Sequence, residues 1–85
     1  MRVEILEPAR RHGIKDEDIV HAVEKAIVVA ELNDGRMLVI GPDRSANLLE
    51  IVVQKRASTE VLAIHAMGLR KKYEAHLRRM EKNNG

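Results

Sequence analysis

The chain contains no cysteine, no phenylalanine and no tryptophan, and it has a single tyrosine, Tyr73. The absence of cysteine excludes disulfide bonds, thiol nucleophiles and zinc sites built from thiolates. The scarcity of aromatic rings argues against binding of single-stranded nucleic acid by base stacking, which needs rings as platforms. Any contact with nucleic acid would therefore depend on the charge of the phosphates.

Long apolar runs are also absent. No run approaches the roughly 20 residues that a membrane helix needs, and the start MRVEILEPARRHG is too charged for the apolar region of an export signal. We therefore expect a cytoplasmic protein with no membrane partner. The length of 85 residues predicts one domain over residues 1–85, with a frayed tail at 79–85.

Strong catalytic motifs are missing as well. The sequence has no glycine-rich phosphate loop and no nucleophile elbow, and its four histidines are not at metal-ligand spacing. We predict neither a cofactor nor a metal site. The formal net charge is +2, but its distribution is uneven, because residues 70–82 hold six cations and two anions. This basic segment suits a phosphate backbone or an acidic partner, although a solvated helix face has the same composition.

Three stretches have helical spacing. Val3 to His12 carries apolar residues on one side and ends before Gly13, with Pro8 as a source of uncertainty about the first turn. A second helix is predicted from Asp16 to Ala26, since acidic residues open it and an apolar stripe follows. The last runs from Leu69 to about Glu81.

Between these helices the period changes to two. The segments IVVAEL, RMLVIG, LLEIVVQK and EVLAIHAM are predicted strands, and the sequence NDG between the first two is a hairpin signal. Short connections favour sequential antiparallel pairing. The predicted fold is α+β with the order α-α-β-β-β-β-α: two N-terminal helices, a four-stranded antiparallel meander and a C-terminal helix.

Alternation within the last two strands predicts which residues face the core. The apolar sets are Leu49, Ile51 and Val53 on one strand and Leu62, Ile64 and Ala66 on the next. Glu50, Gln54 and His65 then point to the other face, which stays half apolar. A sheet face of this mixed character is typical of a partner surface or a cleft.

The candidate site residues cluster near the end of the last strand. His65 is a candidate general acid or base, and Arg70, Lys71 and Lys72 would hold a phosphate at the start of the final helix. Tyr73 lies on the apolar stripe of that helix, with a hydroxyl that can reach the cleft. Further phosphate contacts are predicted from three loop and strand-end cations: Arg44, Lys55 and Arg56.

The segments RRHGIKDEDIVHAVEKA, GRMLVIG, LLEIVV, IHAM and LRKKYE resemble the BrnT-type toxins of bacterial type II toxin–antitoxin systems. The resemblance runs from about Arg10 to Tyr73 and includes His12-Gly13, the acidic start of the second helix, and the basic stretch before Tyr73. It implies a RelE-like fold, ribonuclease activity and an antitoxin as partner. One position departs from the pattern: Met67 stands where the family has an arginine implicated in cleavage, and Arg70 is the candidate substitute.

The sequence therefore leads to three hypotheses. The first is a toxin-like, metal-independent endoribonuclease acting on RNA, with His65, Arg70, Lys72 and Tyr73 as catalytic residues and Lys71, Arg44, Lys55 and Arg56 binding phosphates. The second is a catalytically inactive module that binds an antitoxin-like partner or nucleic acid through its basic C-terminal helix. The third is a small homodimer whose half-apolar sheet face is the interface.

Overall fold

A five-stranded sheet carries two α-helices in the computed structural model, which describes residues 1–84. Short 3₁₀ turns connect several of the elements. The strands are β1 (Arg2–Ile5), β2 (Val28–Glu31), β3 (Arg36–Pro42), β4 (Leu48–Ala57) and β5 (Glu60–Gly68), and the helices are α1 (Asp16–Glu24) and α2 (Glu74–Asn84).

The sheet has the order β1-β5-β4-β3-β2. Strands β2 to β5 form the predicted antiparallel meander, and β1 is added at its edge in parallel with β5. The mixed α+β class is confirmed, but the predicted α-α-β-β-β-β-α order is wrong. The sheet has five strands instead of four, and the described residues hold two α-helices instead of three.

The error lies in the first segment, where a helix from Val3 to His12 was predicted. Val3 and Ile5 alternate with Glu4, and this short period of two places both apolar side chains in the core beside β5. Pro8 then lies at the start of a 3₁₀ turn, Glu7–Arg10, where its missing N–H costs no hydrogen bond. Proline therefore marks the end of a strand and the start of a tight turn.

The two α-helices follow their predictions to different degrees. α1 begins at Asp16 as predicted, with three acidic residues in its first turn. α2 begins at Glu74 instead of Leu69, because a 3₁₀ turn, Lys71–Tyr73, comes before it. α2 then extends to Asn84 across most of the predicted tail, and Gly85 lies outside the described residues. No helix within residues 1–84 is long and apolar enough to cross a membrane.

The main core lies between the sheet and α1, which packs on β3 and β4. Ile19 and Ala22 of α1 are fully buried there. They share the core with side chains from β3, β4, β5 and the first 3₁₀ turn. The fully buried members of this core on the sheet and the turn are Ala9, Ile51, Ala63 and Ala66.

A β-bulge changes which residues of β5 face the core. The register with β4 shifts between Val52 and Val53, so that His65 lies opposite Val52 while Ala63 lies opposite Val53. Ile64 is the extra residue of the bulge. The core side of β5 is therefore Val61, Ala63 and Ala66, and the predicted core set Leu62, Ile64 and Ala66 is wrong except for Ala66. The predicted core set of β4 is confirmed.

Gly41 allows α1 to approach β3 closely. A Cβ atom at this position would lie 2.1 Å from the backbone oxygen of Ala22. No rotamer change relieves a contact with backbone, so the helix or the strand must move.

We expect Gly41→Ala to lower the free energy of unfolding by about 1–3 kcal/mol, the usual cost of overpacking a core. Gly68→Ala is the matched control, because a Cβ there meets nothing within 4 Å. Urea denaturation followed by far-UV circular dichroism measures both. Equal stability of the two variants would contradict the close packing of α1 on β3.

Candidate functional site

The carboxylate of Glu50 is the centre of the candidate site. Glu50 lies on β4 and is fully buried, and it is the single charged or polar residue in the buried class among the described residues. Alternation places it on the sheet face opposite the α1 core, as predicted, since its neighbours Leu49 and Ile51 belong to that core. A buried carboxylate without partners would be strongly unfavourable, so its contacts define what the site can be.

Two side chains bind this carboxylate. His65 places Nε2 2.9 Å from Oε2. Arg70 donates from Nε and Nη2 to Oε2, at 3.0 Å and 2.7 Å, and its backbone N–H donates to Oε1 at 2.8 Å. The carboxylate thus receives hydrogen bonds on both oxygens, from an imidazole, a guanidinium and a peptide group.

Local structure explains why these residues meet. Glu50 lies opposite Met67 in the β4–β5 ladder, and His65 occupies the neighbouring position on the same face of β5. After Gly68 the chain stays extended, and the N–H of Leu69 bonds to the backbone oxygen of Leu48. Arg70 is extended too, with φ −92° and ψ 154°, so its backbone and side chain both reach back to Glu50.

The electrostatics favour an ionised carboxylate. Burial by itself raises the pKa of Glu50, but hydrogen bonds from Arg70 and His65 outweigh the burial and hold this pKa below its usual value. The same contact raises the pKa of Arg70, so the guanidinium stays charged. An ionised carboxylate only accepts hydrogen bonds, so the proton of the shared bond resides on Nε2 of His65. Nδ1 is then the nitrogen of His65 that can exchange a proton with a substrate.

A second histidine lies beside the first. The His12 ring contacts the His65 ring edge to face, with 5.8 Å between the centroids. His12 is exposed, and His65 is half-buried with 26% of its side chain accessible. His12 follows the first 3₁₀ turn, which packs against β5 where β1 has ended. The short β1 therefore leaves room at the sheet edge for a second imidazole.

Tyr73 and Lys72 extend the cluster along the chain. The guanidinium carbon of Arg70 lies 5.6 Å from the centroid of the Tyr73 ring, and Nζ of Lys72 lies 4.9 Å from it. Both cations thus lie over the Tyr73 ring, a favourable arrangement. Lys71 lies in the same 3₁₀ turn and is exposed. The structure therefore brings together the four residues predicted as catalytic and places Lys71 near them.

The remaining predicted phosphate contacts lie elsewhere. Arg44 lies in the β3–β4 turn and binds Asp18 of α1 at 2.8 Å. Lys55 is about 17 Å along β4 from Glu50 at the usual rise of a strand, and it lines an open depression of about 310 Å³ near the β2–β3 turn. Arg56 pairs with Glu60 at 3.2 Å. These three cations do not form part of the cluster around Glu50.

Two members of the site were missed from the sequence. Glu50 was placed on the correct face but given no role, although a lone carboxylate within LLEIVV is the signal that could have identified it. His12 was noted as part of the His-Gly pair and given no chemical role. We name the cluster of Glu50, His65, Arg70 and His12 the carboxylate–histidine site.

Removal of the guanidinium tests the dependence of Glu50 on Arg70. We expect Arg70→Met to destabilise the protein far more than Lys72→Met at neutral pH, because it leaves a buried carboxylate with His65 as its remaining side-chain partner. The pKa of Glu50 rises in this variant, so the difference in free energy of unfolding between the variant and the parent becomes smaller as acid protonates Glu50. Urea denaturation at several pH values measures this difference. An equal effect of the two variants would contradict this role.

Acid titration of stability gives a second test. The native pKa of Glu50 is lowered, so the contribution of this carboxylate to the free energy of unfolding is fully present above the pKa that Glu50 has in the unfolded chain. This contribution is lost as the pH falls through the native pKa. We expect Glu50→Gln to reduce the acid slope by up to about 1.4 kcal/mol per pH unit within that window. The pKa values of Asp16, Asp18 and Asp43 are lowered too, so a residual slope persists. An unchanged slope would show that folding does not lower the pKa of Glu50.

Comparison with known proteins gives no assignment. No match was found among protein-family models, curated proteins or solved structures. The resemblance to BrnT-type toxins therefore stays a prediction from the residues quoted above.

Proposed function

We propose that this chain is the toxin component of a type II toxin–antitoxin pair and that it cleaves RNA without a metal ion. The observation that carries the proposal is the contact of His65 with a buried, ionised Glu50 beside a second imidazole, His12. A carboxylate that fixes one imidazole nitrogen leaves the other oriented for proton transfer. The basic residues that follow β5 supply positive charge next to these rings.

The reaction needs two proton transfers and stabilisation of charge. The 2′-hydroxyl of a ribose loses its proton as its oxygen attacks the adjacent phosphorus, and the bond from phosphorus to the 5′-oxygen breaks. The 5′-oxygen takes a proton, and the other product ends in a 2′,3′-cyclic phosphate. An acid and a base near neutrality each contribute about 10²–10⁴-fold to such a reaction.

His65 is assigned as the general base. Its Nε2–H donates to Glu50, so neutral Nδ1 accepts the proton of the 2′-hydroxyl, and the carboxylate stabilises the imidazolium that results. His12 is assigned as the acid that protonates the 5′-oxygen, because its exposed ring lies next to that of His65. Imidazole is the side chain whose ordinary titration lies nearest neutrality, which suits both roles better than a phenol.

Arg70 has a different role from the one predicted. Its Nε and Nη2 atoms are occupied by Glu50, so its main function is to position the carboxylate and, through it, His65. Lys72 and Lys71 are then the cations that stabilise negative charge on the phosphate. Tyr73 holds Lys72 against its ring and so orients the ammonium group.

The second candidate function is the catalytically inactive module. The occupation of Arg70 by Glu50 favours it, since the substitute for the missing family arginine is not free to bind phosphate bidentately. In this alternative the exposed cations Lys71, Lys72, Arg78 and Arg79 bind an acidic antitoxin-like segment or nucleic acid by charge. The carboxylate–histidine site then holds the C-terminal helix in place and performs no chemistry.

His65→Gln separates the two functions. Glutamine can still donate from Nε2 to Glu50, so the buried carboxylate keeps a partner, but the amide cannot carry a proton. We expect the parent to arrest growth of a bacterial host and to cleave RNA in EDTA, and the variant to lose about 100-fold or more of the cleavage rate. Mapping of the RNA ends should show cyclic phosphates for the parent.

His21→Asn is the matched control. His21 places Nδ1 2.8 Å from the backbone oxygen of Pro42, on the α1 side of the sheet, and asparagine keeps a donor there. The control should arrest growth and cleave RNA like the parent. Cleavage by folded His65→Gln at the parent rate would exclude His65 as base. A folded parent that binds RNA or an acidic peptide without cleavage would establish the interaction module instead.

A further inference from the structure

The sheet face that carries Glu50 continues beyond the carboxylate–histidine site. Alternation along β4 places Val52 and Gln54 on the same face as Glu50. Val52 lies opposite His65 in β5, and Gln54 lies opposite Leu62. Three side chains, those of Val52, Gln54 and Leu62, therefore form a strip that begins beside His65 and runs along the two strands.

This strip is partly open and mostly apolar. Each of its three side chains is half-buried. Sites for small organic groups are typically apolar, with a few polar groups that fix the orientation of the ligand. The strip has this composition, because two aliphatic side chains lie beside a single amide, that of Gln54.

The amide of Gln54 is held in one orientation. Nε2 donates to the backbone oxygen of Gly35 at 3.3 Å. A carbonyl oxygen only accepts hydrogen bonds, so this contact distinguishes the nitrogen of the amide from its oxygen. The oxygen Oε1 and the second N–H group are left for a ligand, as one acceptor and one donor. Adenine offers the complementary pair, since its N6 amino group donates and its N7 accepts.

The position of Gln54 suits a base next to the bond that is cleaved. Gln54 is two residues along β4 from Val52, the residue opposite His65, which is about 7 Å at the usual rise of a strand. A purine attached to its ribose reaches over a comparable distance from the sugar to its outer edge. A ribose whose 2′-hydroxyl meets Nδ1 of His65 can therefore place its base over the strip.

We propose that the strip binds the base of the nucleotide whose 2′-hydroxyl attacks, and that Gln54 selects adenine at this position. Val52 and Leu62 contact the ring, and the amide of Gln54 bonds to N6 and N7. This inference rests on the proposed function, because His65 is the residue that places the ribose.

Charge favours a nucleotide as the occupant of the strip. Arg36 lies opposite Gln54 in β3 and is exposed. The cations that follow β5 lie at the other end, so an anionic chain across the strip meets positive charge at both ends. Glu4 lies opposite Leu62 in β1, and its carboxylate is 3.7 Å from the guanidinium of Arg56. The negative charge beside the strip is therefore offset.

Chimeric oligonucleotides test the base preference. Each contains one ribonucleotide, A, C, G or U, within a chain of thymidines, so the bond after that ribonucleotide is the one that can be cleaved. We expect the parent to cleave the adenosine chimera about tenfold faster than the other three, because one bidentate contact discriminates by about this factor. Gln54→Glu removes the donor and should favour cytidine, whose N4 amino group donates to a carboxylate.

Asn33→Asp is the matched control. It makes the same change from amide to carboxylate in the β2–β3 turn, where Asn33 is exposed, and it should keep the preference for adenosine. The bond from Gln54 to Gly35 is also exposed, so both variants should keep an unfolding midpoint close to that of the parent.

All-deoxy versions of the four oligonucleotides separate base binding from chemistry, because they lack the attacking hydroxyl. In fluorescence anisotropy the parent and His65→Gln should both bind the adenine version most tightly. Cleavage without a base preference, or a preference unchanged by Gln54→Glu, would overturn the base-binding strip and leave the proposed function standing. A preference in binding without any cleavage would support the strip and overturn the proposed function. Binding to none of the four would overturn the strip.

Discussion

One buried charge fixes the geometry of the functional end of this protein. Glu50 has no solvent exposure, and its carboxylate is stabilised by His65, by the guanidinium of Arg70 and by the backbone N–H of Arg70. These contacts join β4, β5 and the segment that leads to α2. Because both the side chain and the backbone of Arg70 take part, the path of the chain after Gly68 is determined by the same interaction that orients His65. Fold and site are therefore coupled at this carboxylate.

This coupling explains why cations follow the last strand. The predicted helix start at Leu69 placed Arg70, Lys71 and Lys72 at the positive end of a helix, where the dipole disfavours cations. In the structure α2 begins later, at Glu74, an acidic residue that suits that end. Arg70 is extended and bound to Glu50, and Lys72 lies against Tyr73. The conflict with the helix dipole is removed for Arg70, whose position is set by a residue on another strand, whereas Lys71 and Lys72 lie in the 3₁₀ turn that leads directly into α2.

Local patterns predicted much of the fold. The acidic start of α1, the NDG turn with its positive φ values at Asp34 and Gly35, and the alternation of β4 are all properties of neighbouring residues. The missing strand β1 has three alternating residues, too few to distinguish a strand from a helix, and its partner β5 lies far along the chain. The bulge at Ile64 has no local marker either. His65 and Arg70 were predicted as reactive residues from type and position, whereas the role of Glu50 depends on partners that only the fold brings to it.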